Sequence, residues 1–213
     1  MSLFHPLIDM YFRPFIILKT LFPGLIWNIP NNENKVFLTF DDGPDPEVTP
    51  WVLDLLNQYN AKATFFCLGK NVERHPDIFQ LIKDEGHAVG NHSYSHLNGW
   101  RTKNKKYFED IKRADKLIQS NLFRSPYGRI TPSQIRVLKE KYRIIMWDVM
   151  SGDYSEKING EKSAGNVLKW SRPGSIIVFH NIQQAFRNLN IALPQILDGF
   201  RKRGLNFGVI NQI

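Results

Sequence analysis

The chain has 213 residues, of which 42% are hydrophobic and 13% aromatic: enough for one sizeable core and too few for two generous domains. Its 28 basic and 20 acidic residues give a net charge of +8, which favours anionic surfaces without choosing among nucleic acid, acidic lipid and acidic cell-wall polymer. The single cysteine, Cys67, excludes an internal disulfide; it stands in the apolar run 63–68 and reads as a small core residue, compatible with a reducing compartment.

The first thirty residues are apolar in patches. Asp9, Arg13, Pro14, Lys19, Pro23 and Pro30 interrupt them, so no uninterrupted span fits a bilayer and no signal-peptide pattern stands out. Residues 1–34 are expected to pack on the domain formed by residues 35–213, with peripheral contact to a membrane surface as the alternative. Localisation is left open between the cytoplasm and the cell envelope.

From residue 35, strand-like and helix-like segments alternate without repeats or low-complexity linkers. β-rich runs occur at 35–40, 63–68, 87–91, 122–124, 143–149, 175–179 and 206–210. Helix starts are expected at Thr49-Pro50, His75-Pro76 and Thr131-Pro132, because proline's missing N–H costs nothing in a first helical turn. Gly86 and Gly204 stand where helices should stop. Residues 101–116 hold seven Lys or Arg interleaved with Glu109, Asp110 and Asp115, the pattern of a solvated helix face rather than a nucleic-acid site.

Seven strands alternating with helices fit either an open doubly wound sheet or a closed one. The polar clusters DDGPD, NHSYSH, RSPYG, DVMSGDY and FHN each begin at the C-terminal end of a different predicted strand. In a barrel those ends share one mouth, so the expected fold is a distorted (β/α) barrel of about seven parallel strands with its site there.

The clusters carry recognisable chemistry. Asp41 and Asp42 end an apolar strand side by side, and such a pair usually has a cation to offset its repulsion; turn capping is the plainer alternative. His92 and His96, four apart, would share one side of a helical turn and grip a single ion; a surface turn is the alternative. One carboxylate and two imidazoles make a three-ligand site with room for water, leaving the second carboxylate as general base. Arg124 is placed to hold that base ionised, and Ser125-Pro126-Tyr127-Gly128 forms a turn able to aim a backbone N–H at an oxyanion. His180 ends a strand as a candidate general acid, with Asp153 suited to raising its pKa. His5, His75 and His87 lack such company and read as structural or exposed.

TFDDGP at 39–44, the two histidines of 92–96, the R-x-P-Y-G element at 124–128 and the late His180 occur in one order. In that ordered set the chain resembles the polysaccharide deacetylases of carbohydrate esterase family 4, the NodB homology domain, over about residues 35–210. The resemblance implies metal-dependent hydrolysis of the acetamide of an N-acetylated oligo- or polysaccharide. It assigns Asp42, His92 and His96 to the metal, Asp41 to the base, Arg124 to orienting that base and the Tyr127 N–H to the oxyanion. It further assigns His180 to the acid and Asp153 to tuning it. Zinc is the first choice of metal, with cobalt and nickel as alternatives; no nucleic acid or protein partner is implied. Departures fall in the acyl pocket, expected around Tyr154, Val178 and Pro126. There Met150 replaces an aspartate, Tyr154 a tryptophan and Val178 a leucine, while Asn181 follows His180 where aspartate is frequent. A non-sugar amide or O-acetyl ester as substrate, or a carbohydrate-binding protein without turnover, are the competing readings.

Overall fold

The computed structural model describes residues 22–210. Its strands are β1 (Leu25–Ile26), β2 (Lys35–Asp41), β3 (Thr64–Cys67), β4 (Ala88–Asn91), β5 (Leu122–Phe123), β6 (Arg143–Ile145), β7 (Val149–Met150), β8 (Ile176–His180) and β9 (Asn206–Phe207). The helices are α1 (Val48–Gln58), α2 (Gly69–Arg74), α3 (Pro76–Asp84), α4 (Asn104–Ile118), α5 (Pro132–Leu138), α6 (Gly160–Trp170) and α7 (Gln183–Lys202). The strands run side by side in the order β1-β6-β5-β4-β3-β2-β8-β7, every pair parallel, while β9 adds to the start of β2. An antiparallel bridge between Asn28 and Ser175 brings the β1 end of this path back to β8, so the sheet curls into a distorted barrel.

Alternation along the strands explains the core. In β2, Val36, Leu38 and Phe40 join the outer cluster under the helices, whereas Phe37 belongs to the barrel interior with Phe66, Leu122, Ile145, Ile176 and Ile210. Phe40 stacks on Phe65 at 5.1 Å and Phe179 at 5.4 Å, tying three neighbouring strands together outside the barrel. Each such ring contributes roughly 1.5–3 kcal/mol by burial. The same alternation turns Thr39 and Asp41 inward, and β2 pairs Asp41 with His180 across the strand boundary. Two of the predicted site residues are therefore brought together by strand register alone.

The structure corrects several boundaries. The run 143–149 is two strands, because the Met146 N–H turns to Ile26, the Asp148 N–H turns to Ile176, and the carbonyls of Ile145 and Met146 accept from Arg124. β1 lies before the expected domain start at 35: Leu25 and Trp27 are buried and β1 pairs with β6, so the described part of the 1–34 segment is built into the barrel. Residues 1–21, with His5 and most of the 11–27 stretch, lie outside the described residues. No helix among the described residues is long and apolar enough to cross a membrane.

Pro76 and Pro132 occupy first helical positions, with Thr131 and Gln134 closing a capping box, but α1 starts two residues before Pro50. Gly86 and Gly204 follow their helices with φ of 78° and 66°. The basic stretch is α4, which buries Tyr107, Ile111, Ala114 and Ile118 and leaves its lysines on the wet side.

Candidate active site

The C-terminal ends of the strands open into a cavity of 630 Å³ lined by Asp41, Asp42, His92, His96, Tyr127, Tyr154 and His180, among others. Its floor is set by β2. Asp42, just beyond the strand, has a left-handed backbone at φ 75°, which turns its side chain from the strand line toward the histidines. The backbone there is pinned, because Asn71 donates to the Asp42 carbonyl at 2.7 Å and the Asn181 side chain accepts from the Gly43 N–H at 3.1 Å. A Cβ on Gly43 would lie 2.2 Å from Asn181, so only glycine fits. Asn181 also donates to Thr49 at 2.8 Å. It therefore donates on one side and accepts on the other, a combination that an ionised aspartate cannot supply.

His92 and His96 do not share a helical turn. They lie in an irregular segment after β4, with φ of 66° at Ser93 and 61° at His96. Asn91 and Asp110 replace the helix: the Asn91 side chain accepts from the Ser93 N–H, and one Asp110 oxygen accepts from the N–H groups of both Tyr94 and Ser95. The spacing of four still converges, with ring centroids 5.2 Å apart. His92 Nδ1 lies 2.8 Å from the Arg124 carbonyl and donates to it, which turns Nε2 toward Asp42 Oδ1 at 3.4 Å; His96 Nε2 lies 3.1 Å from the same oxygen.

These three ligand atoms lie within 4.8 Å of one another. Asp42 Oδ1 is fully buried yet has no hydrogen-bond partner, a cost that a cation at this point would remove. Burial opposes the Asp42 charge, but the two imidazoles hold its carboxyl well below the ordinary range. The donor set and its outer hydrogen bond thus fit a divalent ion.

Arg124 is completely buried and serves both halves of the site. Its carbonyl orients His92, while its guanidinium donates to Asp41 Oδ1 and Thr39 Oγ1, each at 2.7 Å, and to the carbonyls of Ile145 and Met146. Across the mouth, Asp153 accepts from the His180 backbone N–H at 2.7 Å and from its Nδ1 at 2.8 Å. Burial alone would lower the His180 pKa; Asp153, with help from Asp42 and Asp41, outweighs it and raises the value to about 9. Nδ1 is thereby committed and Nε2 carries the transferable proton.

Tyr127 has φ 59° within a 3₁₀ turn and rests its ring on His96 at 4.4 Å, while Tyr154 packs edge-on against His180 at 4.8 Å. Of the expected acyl-pocket residues, Tyr154 lines the cavity whereas Val178 and Pro126 do not. Val178 is buried beside Met150, its register partner in β7, and the half-buried Met150 lines the cavity instead. Trp147, Arg129, Ile182 and Gln184 also line the cavity without having been anticipated. Trp147 falls in the run 143–149, which reads as a single strand; the sequence signal that marks it is Gly128, where a Cβ would lie 2.4 Å from its ring.

A model described as polysaccharide deacetylase matches residues 28–142, and a peptidoglycan-N-acetylglucosamine deacetylase of Bacillus cereus is 35% identical over 194 residues, spanning 88% of this chain and 91% of the relative. The chain belongs to the polysaccharide deacetylase family. A chitooligosaccharide deacetylase of Azorhizobium caulinodans is 34% identical over 166 residues, covering 74% of this chain and 79% of its own. The crystal structure of a peptidoglycan N-acetylglucosamine deacetylase superimposes with a TM-score of 0.82 at 35% identity, covering 88% of this chain and 91% of that one. The family assignment makes the chain a hydrolase of the carbohydrate esterase 4 group and accounts for its parallel barrel.

Proposed function

We propose that this deacetylase hydrolyses the acetamide of N-acetylglucosamine-containing glycans, with a divalent metal, zinc by preference, held by Asp42, His92 and His96. The observation that carries this reading is the buried, unpartnered Asp42 Oδ1 facing two imidazole nitrogens, between a clamped carboxylate and a carboxylate-bound histidine.

When bound, such an ion supplies Lewis acidity and a water that ionises near neutral pH. Asp41, held in place by the Arg124 guanidinium, accepts the proton of the water that attacks the acetamide carbonyl. The Tyr127 N–H is assigned to the oxygen that becomes negative as the carbonyl turns tetrahedral. When the C–N bond breaks, His180 Nε2 protonates the leaving nitrogen, releasing the sugar amine and acetate, while Nδ1 keeps its own proton, donated to Asp153. Tyr154 and Met150 flank the space left for the acetyl methyl.

The test compares acetate release and bound metal in two variants on N-acetylglucosamine oligomers. Asp41→Asn, which preserves an acceptor for Arg124, should retain metal and lose turnover, whereas His92→Ala should lose both. Ordinary turnover by Asp41→Asn removes the base from the account. The altered Met150 and Tyr154 keep one second reading alive, an O-acetyl ester or non-sugar amide; turnover confined to those substrates would establish it.

A further inference from the structure

Tyr107, in the first turn of α4, is wholly buried and is not part of the cavity wall. Burying a phenol is costly unless its O–H finds a partner, and this one lies 2.8 Å from Ser125 Oγ. Ser125 Oγ in turn donates to the Arg129 carbonyl at 2.8 Å. A carbonyl can only accept, so the serine proton goes to Arg129 and the serine oxygen accepts from the phenol. The relay therefore runs one way, from the Tyr107 O–H through the Ser125 O–H to the Arg129 carbonyl. Burial keeps the phenol protonated by pushing its pKa upward, and donors in series polarise one another.

What the relay ties together is the turn that carries Tyr127. The Gly128 N–H donates to the Ser125 carbonyl at 2.9 Å and the Arg129 N–H to the Pro126 carbonyl at 3.1 Å, and the relay joins Ser125 to Arg129 across both. Tyr127 lies between them at φ 59°, a conformation that a bulky residue takes only where its surroundings impose it. On another side the Trp147 ring lies against Gly128, where a Cβ would come within 2.4 Å of it. One turn further along α4, Asp110 accepts from the N–H groups of Tyr94 and Ser95. A single helix thus supports the 92–96 segment and the 125–129 turn, a rigid base for two loops that must meet at one carbonyl.

We propose that Tyr107 and Ser125 are positioning residues for the Tyr127 N–H, holding it where the acetamide oxygen becomes negative. The inference rests on the deacetylase reading and on the assignment of that N–H to the oxyanion. An N–H aimed at a charge that forms only in the transition state contributes to kcat and little to KM. Displacing it slows the reaction and leaves substrate binding nearly intact.

The experiment compares wild type, Tyr107→Phe, Ser125→Ala and the double variant, each loaded with zinc, in acetate release from the N-acetylglucosamine tetramer. Tyr107→Phe should lower kcat about tenfold and Ser125→Ala about thirtyfold, short of the roughly hundredfold or more that deleting an oxyanion donor costs. KM should stay within about twofold of wild type. The double variant should be no slower than Ser125→Ala, because both residues act through one relay. A tetramer in which a methylphosphonamidate replaces one acetamide mimics the tetrahedral state; its Ki should rise in proportion to the loss in kcat/KM, which a general loosening of the fold would not produce. Thermal melting and bound zinc should match wild type. Tyr107→Phe keeps the ring and its packing, and Ser125→Ala reports on the relay by itself should Tyr107→Phe not fold. Wild-type protein that releases no acetate refutes the deacetylase reading and the relay's role with it. With active wild type, an unchanged kcat in a folded single variant, additive losses in the double variant, an unchanged Ki or zinc lost alongside activity overturns the relay alone.

Discussion

Replacing Arg124 with methionine tests the joint on which the site depends. The guanidinium is wholly buried and donates four hydrogen bonds, to Thr39, Asp41 and the carbonyls of Ile145 and Met146. It also lies over the Phe66 ring at 4.2 Å. Methionine fills much of the same volume but strands the Asp41 carboxylate, itself only 5% exposed, and two carbonyls. Removing one partner of a buried ion pair costs about 3–5 kcal/mol, or roughly 10 °C in melting temperature for a chain of this size. Urea unfolding of metal-free protein gives the number directly. Asp41→Asn in the Arg124→Met background should recover much of the loss, since the stranded charge is gone, without recovering turnover. Arg124→Lys should fall between, because three ammonium donors cannot reproduce a planar fork that reaches four acceptors. A loss below about 1 kcal/mol for Arg124→Met would refute the argument, because by the same principle a stranded charge cannot be that cheap.

In the metal-free protein, the His180 imidazolium should persist to about pH 9, well above the ordinary histidine value. Because its folded pKa is raised, its stabilising contribution is full below about 6.5 and fades as pH rises through 9. Asp153→Asn should move the midpoint down, which an NMR titration of the ring protons measures; an unmoved midpoint contradicts the assigned cause. His87 behaves oppositely. Its Nδ1 accepts from the Ala63 N–H, and burial lowers its pKa to about 4, so its contribution is present above about 6.5 and is lost as pH falls toward 4. His87→Gln should flatten the stability profile in that window, as read by acid unfolding. Gly43→Ala should cost about 1–3 kcal/mol from overpacking against Asn181, with activity falling further because Asp42 is displaced; a neutral thermal melt would show that the loop yields freely.

Much of the candidate site was legible because its side chains are of types that are costly to bury. Two aspartates at the end of an apolar strand, and histidines at the ends of two others, have few structural uses, and a parallel barrel necessarily gathers strand ends. The adjacency of Asp41 and His180 follows from strand register. What escaped depends on hydrogen bonds between distant segments. Nothing local indicates that Arg124 takes the carbonyls of Ile145 and Met146, so neither the split between β6 and β7 nor the place of Trp147 in the cavity wall follows from the strand pattern. The His92–His96 segment has helical spacing but is held by Asp110, fourteen residues beyond His96, so tertiary contacts override the local period. β1 is two residues long and has no alternating pattern to detect. Tyr107 reaches Ser125, eighteen positions on, by a hydrogen bond that no local pattern marks.

The central claim is that Asp42, His92 and His96 hold a metal on which deacetylation depends. The most direct measurement is acetate release from an N-acetylglucosamine oligomer by protein stripped with a chelator and then titrated with zinc, cobalt or nickel. The account predicts negligible release from stripped protein and recovery that saturates at one equivalent of ion. Full activity in the stripped protein, verified metal-free by elemental analysis, would contradict it.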